Sequence, residues 1–145
     1  MLVILCKERK FVSPVSVIEI RNDDYGEGAF GTSRSDGRRT HKGLDLSGRV
    51  GTPVFASKSG WAWIEIQPKG YGKIIKINHL DGTQTRYAHL DQFNISKWQW
   101  VWQGQKIGTM GKTGNANYKK MITHLHFEIR KADKESCVDP MIYIG

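Results

Sequence analysis

Glycine punctuates this sequence at short intervals, and that spacing favours a fold of short extended segments joined by turns. Glycine supplies 16 of the 145 residues, about 11% against a usual ~7%. The segments between the glycines are rich in valine, isoleucine, threonine and aromatic residues, and no helical period is sustained. The pattern predicts an all-β fold with little helix. We expect strands at residues 54–56, 61–66, 74–78, 83–89, 106–108 and 124–130.

Turn signals and length bound the organisation of this fold. Asp81-Gly82 lies between two alternating runs and is the strongest hairpin signal in the chain. Two segments, 22–39 and 112–123, are expected to be loose. A chain of this length buries enough surface to form one domain with its own core.

Charge and hydropathy limit the partners. The net charge is +8 with neutral histidines and the sequence pI is near 9.6, which favours polyanions such as nucleic acid, an acidic membrane surface or an anionic wall polymer. No apolar run approaches the roughly 18 residues of a membrane span. The apolar run from Leu2 to Cys6 is too short for the core of a signal peptide. The chain as given therefore shows no export signal.

The two cysteines offer no metal or redox motif. Cys6 and Cys137 lie near opposite ends of the chain and form no C-x-x-C pair. The two cysteines either form a disulfide with each other or serve separately as small apolar side chains, and the sequence does not distinguish these alternatives.

Chemistry is concentrated in the histidines. In His124-Leu125-His126, strand alternation places both imidazoles on one face, together with Glu128 and Arg130. His41 and Asp45 form a second pair, and Gly43 between them permits the chain to curl and bring both side chains to one point.

Together these residues indicate a metal site with an open position. Two histidines and one carboxylate leave zinc a fourth position for water, whereas structural zinc sites are usually closed by ligands rich in cysteine. Such a zinc acidifies water and polarises a carbonyl, so an amide can be attacked without a covalent enzyme intermediate. The histidines left over after ligation suit the tasks of orienting water and holding an oxyanion.

Five ordered motifs carry a resemblance to a known family. They are THKGLDL at 40–46, GTPVFA at 51–56, YAHL at 87–90, GQKIG at 104–108 and HLHFE at 124–128. In this order they resemble the lysostaphin-like zinc endopeptidases of peptidase family M23. The similarity runs from about Pro14 to Tyr143. On this basis we divide the chain into an N-terminal extension, 1–13, packed on a zinc metallopeptidase domain, 14–145.

The resemblance implies a site and a reaction. His41, Asp45 and His126 would bind one Zn²⁺ per chain, and His89 and His124 would act on water and the transition state. The fold would be mostly antiparallel with an open active-site groove. The activity would be hydrolysis of peptide cross-links in bacterial peptidoglycan through a zinc-activated water.

The same resemblance sets expectations for partners and location. The substrates would be stem or bridge peptides of peptidoglycan, and anionic wall polymers are further candidate partners. We expect a monomer without nucleic acid or a membrane span. It would act in the periplasm, at the cell wall or after secretion.

Two other functions are compatible with parts of the sequence. Some relatives have lost the zinc ligands and activate wall amidases or serve as binding modules, but all five site residues are present here. A β-barrel that stacks single-stranded nucleic acid on aromatic residues would fit the charge, yet it leaves the metal constellation unexplained.

Several residues near the motifs have two interpretations. The loop 115–123 is longer than usual for the family and lacks its Gly-Pro, so substrate choice is open. His79 is interpreted as structural, and Tyr87, on the strand face of His89, as a packing residue. Glu128 would either accept a hydrogen bond from a ligand histidine or pair with a nearby basic residue.

Trp98, Trp100 and Trp102 alternate and depart from the family pattern. If Val101 is buried, the three indoles point away from the main core. They would either pack under the apolar segment from Met1 to Val12 or form an exposed platform for wall sugars or a partner.

Overall fold

The computed structural model of the protein describes residues 11–34, 37 and 39–144. Across these residues the chain is mostly antiparallel β-sheet with one 3₁₀ turn (Gly114–Ala116) and one short helix, α1 (Met141–Ile144), so the predicted all-β fold is confirmed. The strands are β1 (Asn22–Asp23), β2 (Gly26–Glu27), β3 (Ser33–Arg34), β4 (Arg39–Thr40), β5 (Leu44–Ser47), β6 (Pro53–Phe55), β7 (Gly60–Gln67), β8 (Gly72–Asn78), β9 (Gln84–Ala88), β10 (Leu90–Phe93), β11 (Trp98–Val101), β12 (Lys106–Met110), β13 (His124–Arg130) and β14 (Cys137–Val138).

The main sheet has the strand order β11-β7-β8-β9-β13-β14, and β5 also pairs with β13. Strand β13 is therefore central, with β9 on one side and β5 and β14 on the other. A smaller sheet has the order β10-β12-β6, and the pairs β1–β2 and β3–β4 form two small hairpins. The core consists of apolar side chains from both larger sheets, including Leu44, Val54, Ile75, Ile107 and Phe127.

The expected strands are all present, with ends shifted by at most two residues. The turn at Asp81-Gly82 joins β8 to β9, and Gly82 has the left-handed φ of +90° that favours glycine in a turn. The segment 22–39 is more ordered than expected, because it contributes β1, β2, β3 and the start of β4. Strands of two residues carry too little periodicity to be recognised in a sequence.

His79 lies in a buried polar chain inside the core. Its Nδ1 donates to the carbonyl of Ser59 (2.8 Å), and its Nε2 accepts from the hydroxyl of Thr85 (2.9 Å). The hydroxyl of Tyr87 donates to Thr85 Oγ1 (2.7 Å) and accepts from the backbone N–H of Ser57 (2.9 Å). Each side chain in this series of hydrogen bonds has its partners, as is usual for buried polar groups. His79 and Tyr87 thus serve packing and hydrogen bonding within the core.

All five tryptophans cluster at the β7–β11 edge of the main sheet. Trp98 pairs with Trp63 and Trp100 with Trp61, while Trp102 follows the end of β11 and packs on Trp100 at a ring-centroid distance of 5.5 Å. Val101 is fully buried, whereas Trp98 is 58% exposed, so the indoles do point away from the core.

The cover proposed for these indoles falls mostly outside the described residues. Of the apolar residues in the segment from Met1 to Val12, Phe11 and Val12 are described. Phe11 packs on His79 and Tyr143, and Val12 is exposed. The domain boundary at 13/14 stays a prediction. Cys6 also lies outside the described residues, and Cys137 is a free, half-buried thiol. Among the described residues, no helix is long and apolar enough to span a membrane.

Candidate metal centre and groove

The centre of the site is a cross-strand pair. Strand β13 pairs with β5 so that His126 lies directly opposite Asp45, on the face away from the core. The alternation predicted for His124, His126, Glu128 and Arg130 is confirmed, because Leu125, Phe127 and Ile129 fill the core instead. A carboxylate and an imidazole from distant parts of the chain therefore meet because the two strands share one register.

His41 reaches the same point from the connection before β5. Its Nε2 lies 3.1 Å from His126 Nδ1 and 3.1 Å from Asp45 Oδ1. Gly43 allows His41 to come this close because glycine has no side chain. A Cβ at Gly43 would lie 2.6 Å from the carbonyl oxygen of Phe127 and 2.8 Å from His126 Cε1. The loop therefore passes closer to β13 than any other residue type permits.

The three inner atoms form a compact triangle of candidate metal ligands. His126 Nδ1 and Asp45 Oδ1 are 2.8 Å apart, and the other two sides measure 3.1 Å. Tetrahedral zinc with bonds of about 2.0 Å separates its ligand atoms by about 3.3 Å. The set of His41, Asp45 and His126 is buried and suits a metal ion.

Hydrogen bonds on the outer side of each imidazole strengthen this fit. His41 Nδ1 donates to the carbonyl of Ala29 (3.1 Å), and His126 Nε2 donates to Glu128 Oε1 (3.0 Å). If both imidazoles are neutral, His41 Nε2 and His126 Nδ1 carry no hydrogen. Their lone pairs then face each other and the carboxylate oxygen of Asp45. Three acceptors at these distances require a positive charge between them. The centre therefore holds either a proton on His126 or a metal cation.

The electrostatics of the site favour a cation. Burial alone would raise the pKa of Asp45, but its polar contacts with His126 and His41 outweigh burial and hold the pKa well below the usual range. Burial alone would lower the pKa of His126, but its bonds to Asp45 and Glu128 raise it to about 9. Both carboxylates thus stay ionised around one histidine.

Glu128 fulfils both roles considered for it. Its Oε1 accepts from His126 and from the hydroxyl of Tyr71 (2.8 Å), and its Oε2 pairs with Arg130 Nε (2.9 Å). Burial would raise the pKa of Glu128, but the bonds and charges of His126 and Arg130 hold it at about 2. The carboxylate therefore fixes the ring orientation of His126.

His89 and His124 form a second pair of imidazoles beside His41, Asp45 and His126. Their ring centroids are 5.1 Å apart, and His89 lies 5.9 Å from His126. Each donates Nδ1–H to a backbone carbonyl, His89 to Thr113 (2.8 Å) and His124 to Ile122 (2.8 Å). Each Nε2 is thereby left as the acceptor of its neutral ring.

Both rings are held neutral. Burial, with the neighbouring His126 and His124, lowers the pKa of His89 to about 3. Burial also lowers the pKa of His124, although Asp45 opposes this. Two neutral imidazoles at pH 7 can accept protons or hydrogen bonds from a reacting molecule.

The backbone of His89 corrects one expectation. Continued alternation would place His89 beside Tyr87 on the core face, but His89 follows the end of β9 with a left-handed φ of 62°. This turn directs the imidazole to the groove while Tyr87 stays in the core. A histidine held in this conformation is strained and is typical of a functional site.

The cluster forms the floor of an open groove of about 1000 Å³. One wall carries a stacked pair of exposed rings, Tyr25 and Tyr118, with centroids 5.3 Å apart. Tyr25 belongs to the turn between β1 and β2, and Tyr118 to the long loop 115–123. The groove is also lined by Arg21, Arg39, Thr40, Lys42, Gln67, Gly70, Tyr71, Asn115 and Met121.

Arg21 and Asp23 are site residues that the sequence interpretation missed. Arg21 Nε donates to Asp45 Oδ2 (3.1 Å), on the side of the carboxylate away from His126. Asp23 pairs with Arg21 and accepts the backbone N–H of Ile122 (2.9 Å). Both residues lie in the segment expected to be loose or just before it, and no motif marks them.

Comparison with known proteins identifies the family. The family model for Peptidase family M23 matches residues 39–140. The chain therefore belongs to peptidase family M23, and the resemblance drawn from the five motifs is confirmed.

Relatives of two kinds are similar to this chain. The uncharacterized lipoprotein YgeR of Escherichia coli strain K12 is 38% identical over 105 residues, which cover 72% of this chain and 39% of YgeR. The murein hydrolase activator NlpD of the same strain is also 38% identical over 105 residues, which cover 72% of this chain and 26% of NlpD. Among solved structures, a zinc containing peptidase from Vibrio cholerae has a TM-score of 0.76 at 30% identity, covering 92% of this chain and 40% of that one. This chain spans between about a fifth and two fifths of the length of the curated relatives that it matches.

Proposed function

We propose that this domain is a zinc-dependent endopeptidase that hydrolyses peptide cross-links of bacterial peptidoglycan. Membership of family M23 supports a function related to peptidoglycan. The observation that carries the catalytic proposal is the convergence of a His-Asp-His triangle and two neutral histidines on one groove.

His41, Asp45 and His126 would hold the metal. Their inner atoms are all acceptors once Ala29 and Glu128 bind the outer ring nitrogens. A zinc ion there would supply an acidified water molecule and a Lewis acid for the scissile carbonyl.

His89 and His124 would act directly on the reacting groups. Each presents Nε2 toward the groove and keeps Nδ1–H on a backbone carbonyl, so each ring is fixed in one tautomer. One Nε2 would accept a proton from the attacking water, and that ring, once protonated, would donate to the departing amine. The other Nε2, also an acceptor, would accept a hydrogen bond from the same water molecule and so orient it.

The groove would hold an extended peptide, and the location follows from the substrate. Peptidoglycan lies outside the cytoplasm, and the relative YgeR is a lipoprotein. We therefore place the activity in the periplasm, at the wall or in the medium. The basic groove residues Arg39 and Lys42 would also favour anionic wall components.

The test divides the five residues into two groups. Alanine at His41, Asp45 or His126 should abolish zinc retention, whereas His89→Ala and His124→Ala should keep about one zinc per chain and lose turnover. Metal analysis and hydrolysis of purified wall, with and without a chelator, measure both effects. Each cut should create a new amino group and no new reducing sugar end. Equal zinc loss in all five variants would contradict the assignment.

A second function has one observation in its favour. NlpD, named a murein hydrolase activator, is as similar to this chain as YgeR. If purified wall yields neither new amino groups nor reducing ends, but the protein accelerates wall cleavage by an added amidase, the domain is an activator.

A further inference from the structure

We propose that Arg21 and Asp23 are positioning residues that hold the metal ligand Asp45 and the catalytic His124 in one relative arrangement. This inference rests on the proposed function, because it concerns the roles assigned to Asp45 and His124. Neither Arg21 nor Asp23 lies in the part of the chain matched by the family, which begins at residue 39.

The first link joins Arg21 to the metal ligand. Asp45 Oδ1 faces the two histidines, and Arg21 Nε donates to Oδ2 at 3.1 Å. Both side chains are nearly inaccessible, with 4% of Arg21 and 3% of Asp45 exposed. A charge-assisted bond in such a place is screened little by solvent. Arg21 therefore fixes the rotation of the carboxylate and directs Oδ1 toward the imidazoles.

The second link joins Arg21 to Asp23. Arg21 Nη1 donates to both carboxylate oxygens of Asp23, at 2.9 and 3.0 Å. Asp23 Oδ1 also accepts the backbone N–H of Tyr25 at 2.8 Å, which locks the turn between β1 and β2. The hairpin thus holds the guanidinium in place.

The third link joins Asp23 to the loop that carries His124. Asp23 Oδ2 accepts the backbone N–H of Ile122 at 2.9 Å. The carbonyl of Ile122 accepts His124 Nδ1–H at 2.8 Å. One residue, Ile122, is therefore held by Asp23 through its N–H and holds His124 through its carbonyl.

Asp23 also balances the positive charge of Arg21. A buried guanidinium beside a cation site would repel the cation, but Asp23 neutralises Arg21 and leaves Asp45 its own negative charge. Removal of Asp23 would leave Asp45 as the counterion of the buried guanidinium, 3.1 Å away, so less of the Asp45 negative charge would be available to a metal ion. Asparagine removes this charge but keeps one of the two oxygens, so it retains an acceptor for either the Ile122 or the Tyr25 amide.

The experiment compares Arg21→Lys, Asp23→Ala and Asp23→Asn with a matched control, Asp81→Ala. Asp81 also pairs with a basic residue, Lys58 (2.7 Å), and accepts the backbone N–H two residues on, from Thr83 (2.9 Å). It lies at the turn between β8 and β9, outside the groove lining. The readouts are Zn²⁺ affinity by chelator competition, the visible spectrum of the Co²⁺-loaded protein, and hydrogen exchange at the Ile122 amide.

Arg21→Lys should weaken Zn²⁺ binding by about 10- to 100-fold and change the Co²⁺ spectrum, because lysine cannot bridge two carboxylates as the guanidinium fork does. Asp23→Ala should weaken Zn²⁺ binding by at least about 10-fold and speed exchange at Ile122. Asp23→Asn should weaken binding, with exchange at Ile122 no faster than in Asp23→Ala, because one oxygen acceptor remains. Asp81→Ala should change none of these. The double variant Arg21→Lys/Asp23→Ala should bind Zn²⁺ no more weakly than the worse single variant, since both changes break one connection.

Folded Arg21 and Asp23 variants with wild-type Zn²⁺ affinity and wild-type exchange at Ile122 would overturn the proposal. If Arg21→Lys fails to fold, Asp23→Asn, which keeps the size of the side chain, decides. None of the readouts requires turnover. A wild-type protein that binds Zn²⁺ but releases no amino groups would refute the endopeptidase, while the affinity and exchange measurements would still decide the role of Arg21 and Asp23.

Discussion

Two single residues shape this site, His89 through its backbone conformation and Gly43 through its lack of a side chain. His89 reaches the groove because one left-handed backbone conformation interrupts the alternation of β9. Gly43 matters because β13 passes where a Cβ would otherwise be. The first effect has no clear signal in the local sequence, since a positive φ is uncommon at residues other than glycine, even at histidine. The second effect was partly predictable, because Gly43 lies between His41 and Asp45 in the sequence. The sequence indicated that glycine lets the chain curl there, whereas the structure shows that glycine is needed for close contact with β13.

Gly43→Ala should therefore damage the metal centre directly. The added methyl would meet the Phe127 carbonyl oxygen at 2.6 Å, and neither it nor His126 can withdraw from the central strand. We expect a loss of about 1 to 3 kcal/mol in the free energy of unfolding, together with weaker zinc retention. Thermal unfolding and metal analysis measure the two effects.

Gly104→Ala is the matched control for this substitution. Gly104 has a left-handed φ of 82° and open space around its Cα. Alanine there should cost about 1 to 2 kcal/mol through backbone strain alone and leave zinc retention unchanged. Equal zinc retention in both variants would show that the contact of Gly43 with β13 is unimportant for the site.

His79 predicts a pH dependence of stability. Burial lowers the pKa of His79 from 6.5 to about 4, although the Ser59 carbonyl opposes this. The unfolded chain therefore takes up a proton that the folded chain refuses between those two values. The stability contributed by the neutral ring should be complete above about pH 6.5 and lost as the pH falls toward 4, by about 3 kcal/mol in total.

Proton NMR of the His79 ring should show its midpoint near pH 4. In parallel, His79→Gln should flatten the fall in unfolding free energy with decreasing pH, because the variant has no imidazole at this position. A ring that titrates near pH 6.5, with an unchanged slope in the variant, would show that the buried hydrogen-bond chain does not restrain protonation.

At the scale of elements, long strands were predictable and short hairpins were not. Strand β13 carries seven residues of clean alternation, and its ends agree with the prediction. The two-residue strands β1 to β4 are held by contacts that no periodicity reveals, such as the bond of Asp23 to Ile122, 99 residues away. The candidate ligands could be named from motifs in known order, whereas Arg21 and Asp23 were recognised only from the position of the β1–β2 hairpin beside the groove.

The tryptophan edge of the sheet provides a test of packing at the same scale. Trp100 is half-buried, and its Nε1 is buried without a hydrogen-bond partner within the described chain. Trp100→Ala should cost about 2 kcal/mol, roughly half the loss for a fully buried aromatic side chain. Trp100→Phe keeps an aromatic ring but removes the unpaired N–H, so its cost should be near zero or negative.

Chemical denaturation measures both Trp100 variants, and Trp98→Ala and Trp98→Phe are the controls. Trp98 is 58% exposed, so we expect each control to change the free energy of unfolding by less than about 1 kcal/mol. If Trp100→Phe is as destabilising as Trp100→Ala, the indole is needed for its shape and the unpaired N–H carries little cost.

At the scale of the whole molecule, the site is an assembly of distant segments around one central strand. His41 and Asp45 come from one end of the family motif and His124 and His126 from the other, and β13 brings them together by pairing with β5. The family order made this convergence predictable. The outer hydrogen bonds that set each tautomer come from Ala29, Thr113, Ile122 and Glu128, and three of these four are backbone carbonyls whose sequence identity carries no signal.

The register of the main sheet also relates the groove to the tryptophans. Successive pairings place Trp98, Trp63, Lys76, Arg86 and Glu128 in one row on the same face. Four strand spacings separate the ends of this row, a distance of about 19 Å. The metal centre and the aromatic edge thus occupy opposite ends of one surface.

This segregation of the tryptophans gives the protein a natural optical reporter of one sheet edge. All the tryptophans lie at the β7–β11 edge, so indole emission follows that edge and is remote from the metal centre. The groove mouth carries tyrosines instead, in the stacked pair Tyr25 and Tyr118. Excitation at the red edge of tryptophan absorption therefore reports on the sheet edge in an unlabelled sample, without a contribution from the tyrosines of the groove.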